Sequence, residues 1–297
     1  MRQYTFLYHL TAFIVVAIWG STFVFTKLLL MNGLTAAHIF TLRFIIAYLL
    51  LLCFSLTRRA FRLWAKTWKE ELLMAGLGLT GGSLYFLTEN SAMNFTTTTN
   101  TSLIVCCCPL FASILIGLFY RSERMRTVQL TGTLMAVLGV AVVVLNGRFV
   151  LHLSPLGDAL ALIANLCWAV YSLLMIPANK RYDAVFITRK VFFYGLVTIL
   201  PYFIMHPEWP PVSVILKQDV LLNLLFLSCV ASMACFLAWT WVMDKLGAII
   251  ATNYVYVNPL TTIIFAWWIL HEQITPWFLL GTVLILVGMY LADKKNR

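Results

Sequence analysis

Apolar runs of about 20 residues, separated by short polar turns, fill this chain almost end to end. Ten blocks are read, near 8–30, 36–56, 71–93, 97–119, 127–146, 157–178, 184–205, 220–243, 248–270 and 275–292. At about 1.5 Å per residue, ~20 residues cross the roughly 30 Å of hydrocarbon in a bilayer. Lipid offers no partner to an open strand edge, so all ten blocks are predicted to be helices. The pattern predicts an all-α polytopic membrane protein with no soluble domain left over.

The pattern repeats. Pro109-Leu110 returns as Pro259-Leu260, Glu123 as Glu272, Gly132-Thr133 as Gly281-Thr282, and Gly139 as Gly288. Order is kept and spacing nearly so. Ten transmembrane helices therefore divide into two five-helix repeats, 1–147 and 155–293, with the boundary at Asn146–Pro155. Five is odd, so the second repeat must thread the membrane inverted. Inverted repeats of helix bundles are the mark of secondary transporters, whose substrate site lies between the halves.

Composition and charge sharpen this. The chain of 297 residues is 62% hydrophobic and 11% charged, against about a quarter charged in soluble proteins. Its net charge of +10 invites a nucleic-acid reading, but location argues otherwise. With both termini cytoplasmic, the inner side holds Arg2, Arg58, Arg59, Arg62, Lys66, Lys69, Arg121, Arg124, Arg126, Lys180, Arg181, Arg189, Lys190, Lys245, Lys294, Lys295 and Arg297. The outer side keeps Arg148, Lys217, Lys27 and Arg43. This asymmetry fixes the orientation by the positive-inside rule and supplies the inversion, since block 1 starts inside and block 6 outside. The first block is long and interrupted by Trp19-Gly20-Ser21-Thr22, and is expected to stay uncleaved.

Other features read as structure. The seven cysteines all fall within blocks and lack zinc-site spacing, so no metal site and no cofactor are expected. In 57–69, Phe61, Trp64 and Trp68 share one helical face and Arg58, Arg62, Lys66 and Lys69 lie towards the other, which predicts an interfacial helix on anionic lipid. Gly78 and Gly82 form a small-xxx-small face for close helix approach. The stretch 206–217 is a proline-stiffened outer loop.

Candidate chemistry lies near mid-span. Trp19, Gly20, Ser21 and Thr22 in span 1 face the same depth as Asn165, Trp168 and Tyr171 in span 6. Pro109 in span 4 and Pro259 in span 9 each remove a helical hydrogen bond, freeing the carbonyls of Val105 and Val255. Such helix breaks make a polar pocket, though a plain kink eased by neighbours is the alternative. Tyr85 and Glu89 share a face of span 3; Asn100, Trp239, Tyr254, Tyr256 and Asn258 complete the candidate lining. Aromatic walls would suit aromatic or aliphatic amino acids, or cations held over the rings. Intramembrane charge is costly, which makes Glu89 a candidate proton carrier or amine partner unless outer water solvates it. Arg43 and Arg189 match as Phe-x-x-Arg at inverted depths and read as gating or snorkelling charges. Glu123 and Glu272, at helix ends, read as structural.

These residues carry a family resemblance. Ile18-Trp19-Gly20-Ser21-Thr22-Phe23, Leu42-Arg43-Phe44, and the doubled Pro-Leu, Glu and Gly landmarks resemble the EamA family of the drug/metabolite transporter superfamily over the whole chain. The resemblance implies two inverted five-helix repeats, a central cavity lined mainly by spans 1, 3, 4, 6, 8 and 9, and efflux of amino acids or other small metabolites. It also implies a bacterial inner membrane. Trp168-Ala169-Val170 stands where a second Trp-Gly-Ser is expected, so the halves are chemically unequal.

The expected function is a secondary transporter, exporting small metabolites by alternating access and driven by a solute or ion gradient. No GxxxxGK[ST] loop offers an ATP motor. A membrane enzyme is the first alternative, but His271-Glu272-Gln273 lacks the second histidine of a zinc motif and no serine sits in G-x-S-x-G. A channel would need a ring of polar side chains. The expected partners are a small-molecule substrate, membrane lipid and, for coupling, protons; no nucleic acid is expected, and the chain is expected to act as a monomer.

Overall fold

The computed structural model describes residues 2–57, 61–95, 104–120, 126–145, 154–270 and 276–293. The described residues form helices in the order of the predicted blocks. Spans 1 and 2 are α1 (Arg2–Met31) and α2 (Ala36–Leu56). Span 3 runs through α3 (Trp68–Gly78), a π-helical turn (Leu79–Ser83) and α4 (Leu84–Phe95). Spans 4 and 5 hold α5 (Cys108–Phe119) and α6 (Thr127–Leu145). In the second half, α7 (Pro155–Asn179) and α8 (Ala184–Met205) are followed by a short outer helix, α9 (Val212–Ile215). Span 8 joins α10 (Gln218–Leu225), a π-helical stretch (Phe226–Ala234) and α11 (Cys235–Leu246). Span 9 breaks into α12 (Ala248–Asn253), a 3-10 turn (Tyr254–Val257) and α13 (Asn258–Leu270); span 10 is α14 (Pro276–Asp293).

Among the described residues, five helices, Phe6–Met31, Ala36–Leu56, Pro155–Asn179, Ala184–Met205 and Gln218–Leu246, are long and apolar enough to cross a membrane. Shorter apolar helices accompany them. Leu49, Leu138, Leu200, Ile204, Leu279 and Val283 stand exposed on the outside of the bundle. In water such a surface would drive aggregation; in a bilayer it is the lipid face.

The halves interlock. α1 packs on α11 and α13, and in the other half α7 packs on α4 and α5. α2 packs on the π-helical part of span 8, as α8 does on the π-helical turn of span 3. Each half is thus buried against the other. The two π-helical segments fall at matching places, since Leu79–Ser83 moved by the repeat offset lies within Phe226–Ala234. π-Bulges break the regular ladder and commonly mark functional sites.

The repeated glycines belong to the last helix of each half. A Cβ on Gly132 would stand 2.4 Å from Ala292 N, one on Gly139 2.7 Å from Ile285 N, and one on Gly288 2.5 Å from Ala136 N. These positions let the backbones of α6 and α14 touch, where association in lipid rests on close packing. Gly78 serves α8 likewise, its Cβ falling 2.4 Å from Tyr194 Cβ.

One expectation is corrected. Residues 61–67 are not helical, and α3 begins only at Trp68. The backbone N–H groups here find side-chain acceptors instead: Ala65 N donates to Glu71 Oε2 (2.6 Å) and Lys66 N to Tyr182 Oη (2.8 Å). Trp64 lies against the ammonium of Lys190, 4.2 Å from ring centroid to Nζ, and Lys190 pairs with Glu71. The segment straps the ends of spans 3 and 7 together rather than lying on lipid as a helix.

Candidate functional site

Between the halves lies a cavity with about 560 Å³ of free space, its open mouth included. Its aromatic wall is formed by Trp19 and Phe23 of α1, Tyr85 and Phe86 of α4, Trp168 of α7 and Phe236 of α11. Thr22, Arg43, Glu89, Asn165 and Asn258 supply its polar positions. Val105, Cys108 and Val255 close it at the breaks of spans 4 and 9.

Those breaks explain the prolines. Pro109 occupies the first turn of α5, where no helical N–H is needed. Pro259 follows Asn258 at the start of α13, directly after the 3-10 turn. Both spans restart at their proline, at the depth of the cavity. Gly20 brings α1 onto the restart of span 9; a Cβ there would sit 1.8 Å from Thr261 Oγ1 and 2.9 Å from Asn258 O. Across the cavity, the amide Nδ2 of Asn165 donates to the carbonyl of Ile104 at the other break.

The aromatic side chains form one cluster. Trp19 and Trp168 meet edge to face with ring centroids 5.5 Å apart. Tyr85 stands 5.0 Å from Trp168, and Phe236 is 5.5 Å from Trp19. Edge-to-face pairs of this kind add about 0.5–1.5 kcal/mol each beyond burial. Trp19 Nε1 donates to Ala231 O at 2.9 Å, in the π-helical part of span 8.

Two opposite charges share the cavity. Arg43 is buried; its Nε donates to Ser232 Oγ (2.8 Å) and its guanidinium lies 4.7 Å over the Phe86 ring. Glu89 is buried too, and its Oε1 accepts the Tyr85 hydroxyl at 2.7 Å. Both side chains line the cavity.

The remaining candidates lie elsewhere. Ser21 is buried within α1, its hydroxyl donating to Ile18 O. Tyr171 packs behind Trp168 and fits the space left by Gly81. Trp239 packs behind Trp19, with ring centroids 5.1 Å apart. Tyr256 is fully buried in a second cluster with Cys106, Ala136 and Val140. Tyr254 reaches the first span at its other end, its hydroxyl 2.6 Å from His9 Nδ1. Arg189 is buried on the opposite side, donating to Ser55 Oγ (3.0 Å) and to the Arg62 carbonyl. Asn100, Glu123 and Glu272 lie outside the described residues. The wall residues not anticipated are Phe23, Phe86 and Phe236. Phe86 adjoins Tyr85, so adjacency was the signal available; Phe23 and Phe236 look like any lipid-facing residue.

Comparison with known proteins decides the family. Residues 6–145 and 155–292 each match the EamA-like transporter family. The chain belongs to that family. An uncharacterized transporter of Archaeoglobus fulgidus is 27% identical over 97% of this chain and 98% of its own. A probable amino-acid metabolite efflux pump of Escherichia coli is 26% identical over 94% of this chain and 92% of its own. A solved crystal structure superposes with a TM-score of 0.75 at 18% identity, covering 96% of this chain and 95% of that one; it shares the fold. This EamA-family protein is a multi-pass membrane transporter, not an enzyme. Among the described residues, no cluster of His, Cys, Asp and Glu could hold a metal ion.

Proposed function

We propose that the protein is a secondary transporter that exports small metabolites, amino acids among them, across the cytoplasmic membrane by alternating access. One observation carries the mechanism: equivalent contacts of the two repeats are made in one half and unmade in the other. Trp19 Nε1 reaches Ala231 O. Its counterpart, Trp168 Nε1, is buried with no hydrogen-bond partner among the described residues, although Gly82 stands at the position equivalent to Ala231. Arg43 holds Ser232. Its counterpart Arg189 turns to Ser55, while Ser83, equivalent to Ser232, bonds Thr198 Oγ1 at 2.7 Å.

A buried, unpartnered indole N–H costs roughly 1–3 kcal/mol. A rearrangement in which Trp168 takes Gly82 and Arg189 takes Ser83, while Trp19 and Arg43 let go, exchanges one such cost for another. The two states are then close in energy, as a carrier requires. Arg43 and Glu89 lie in the half that the loop charges assign to the outside, and in this reading the cavity they line opens outward. In this reading both termini are cytoplasmic, Glu89 carries the coupling proton, and one chain suffices, since the cavity is built from its two repeats.

The amino-acid class comes from the named relative and from the cavity's aromatic wall with its two charges. The test is efflux of radiolabelled amino acids from preloaded proteoliposomes, with and without an imposed pH gradient. Substrate-dependent counterflow supports the reading. Leak that ignores unlabelled substrate on the far side argues for a channel instead.

A further inference from the structure

We propose that the cavity is built for a zwitterion, an α-amino acid with an apolar side chain, whose carboxylate binds Arg43 and whose ammonium binds Glu89. The inference rests on the transporter reading and adds to it the two recognition poles of the site.

The argument begins with an oddity of charge. Arg43 and Glu89 are both buried, 3% and 6% exposed, in one cavity inside the bilayer region. Bringing charge there is expensive, and the cheapest arrangement of an arginine and a carboxylate is a direct bidentate pair. Among the described residues, no hydrogen bond or ion pair joins these two. Each is tethered elsewhere instead: Arg43 through Nε to Ser232, Glu89 through Oε1 to the Tyr85 hydroxyl.

The tethers leave specific atoms for a ligand. With Nε committed and one face over Phe86, the terminal Nη groups are the part of the guanidinium left to meet a carboxylate. With Oε1 occupied, Oε2 of Glu89 is left to accept from an ammonium. A zwitterion neutralises both at once and brings no net charge into the membrane. A simple amine answers Glu89 but adds a cation beside Arg43. A simple acid does the reverse beside Glu89. A neutral sugar answers neither charge. Beyond the two poles the wall is Trp19, Trp168 and Phe236, an apolar surface for the side chain.

The experiment uses the purified full-length protein in lipid nanodiscs and three probes of one shape: L-phenylalanine, 2-phenylethylamine and 3-phenylpropanoate. Binding is read by quenching of tryptophan fluorescence. Hydrogen bonds to charged groups are worth about 1.5–3 kcal/mol, so the amino acid is expected to bind about tenfold or more tighter than either analogue. Arg43→Gln should bring L-phenylalanine down to the level of the amine, and Glu89→Gln down to that of the acid. Amine binding by the Arg43 variant shows that it is folded, and Arg43→Lys should restore part of the preference. Equal affinity for all three probes, equal loss of all three in either variant, or no binding of any overturns the proposal. The transporter reading fails separately, if L-phenylalanine binds with these preferences but shows no counterflow.

Discussion

Trp19 and Trp168 hold equivalent positions in the two repeats, and their rings meet edge to face at 5.5 Å in the wall of the cavity. The pseudo-twofold relationship therefore passes through the site itself. Yet one indole N–H is bonded, to Ala231 O, and the other is not.

That inequality gives unequal outcomes for the same substitution. Trp19→Phe removes a hydrogen bond and should lower stability by about 1 kcal/mol. Trp168→Phe loses ring packing as Trp19→Phe does, but the donor it removes is unpartnered, so it should cost less stability than Trp19→Phe. It also deprives the alternative state of its bond to Gly82, so counterflow should slow. Melting temperature in nanodiscs and initial counterflow rates check both; equal destabilisation by the two variants would refute the assignment.

The serines of the π-helical segments should behave as an opposed pair. Ser232→Ala loosens Arg43 in this state and should favour the inward-open form. Ser83→Ala leaves the Arg43 contact intact and should favour the outward-open form. Labelling of a cysteine placed at Thr22 by a membrane-impermeant maleimide should fall in the first variant and rise in the second.

Glu89 tests coupling. With Glu89→Gln the side chain still accepts from Tyr85 but cannot cycle a proton. Efflux driven by a pH gradient should be lost while a residual exchange of substrate for substrate remains. Full pH-driven efflux by the variant would remove Glu89 from coupling.

Much of this site can be read from the chain because polar or kinked positions are rare within apolar blocks. Asn165, Asn258, Glu89 and the two prolines stand out against Leu and Val, and the structure brings the first three to one cavity, with each proline beside a residue of its lining. Phe23 and Phe236 do not stand out, since an apolar residue facing a cavity and one facing lipid have the same chemistry. Mid-span aromatics are ambiguous for a related reason: Tyr171, Trp239 and Tyr256 share the depth of the site but pack behind its wall. The segment 61–67 misleads because Phe61, Trp64 and Trp68, and likewise Arg62, Lys66 and Lys69, recur at helical spacing, while the partners of Trp64 and Lys66, namely Lys190 and Tyr182, are over a hundred residues away.

The inner strap carries a pH dependence. The Tyr182 hydroxyl (2.7 Å), then Arg181 (2.8 Å), hold the Glu70 carboxyl below its ordinary range. A depressed carboxylate contributes stability that is present above its unfolded value of about 4.3 and is lost as pH falls through the folded one. Glu70→Gln should therefore melt below the wild type at pH 7, with the gap closing as the pH drops below the carboxylate range. A gap independent of pH would contradict this.

Close packing of the last helices should tolerate no side chain at Gly288. A Cβ there meets Ala136 N at 2.5 Å, so Gly288→Val should force α6 and α14 apart and cost at least ~1–3 kcal/mol. A sharp fall in melting temperature, with little folded protein recovered, is the expected result; normal recovery would refute the packing.

The exchange of states between the two repeats is tested most directly by paired distance measurements. Spin labels at Met31 and Leu156 report one end of spans 1 and 6; labels at Leu7 and Lys180, their repeat equivalents, report the other. Double electron–electron resonance in nanodiscs should show two populations at each end, and added substrate should shift the two distances in opposite directions. A single population at both ends, or two distances that lengthen together, would contradict the account.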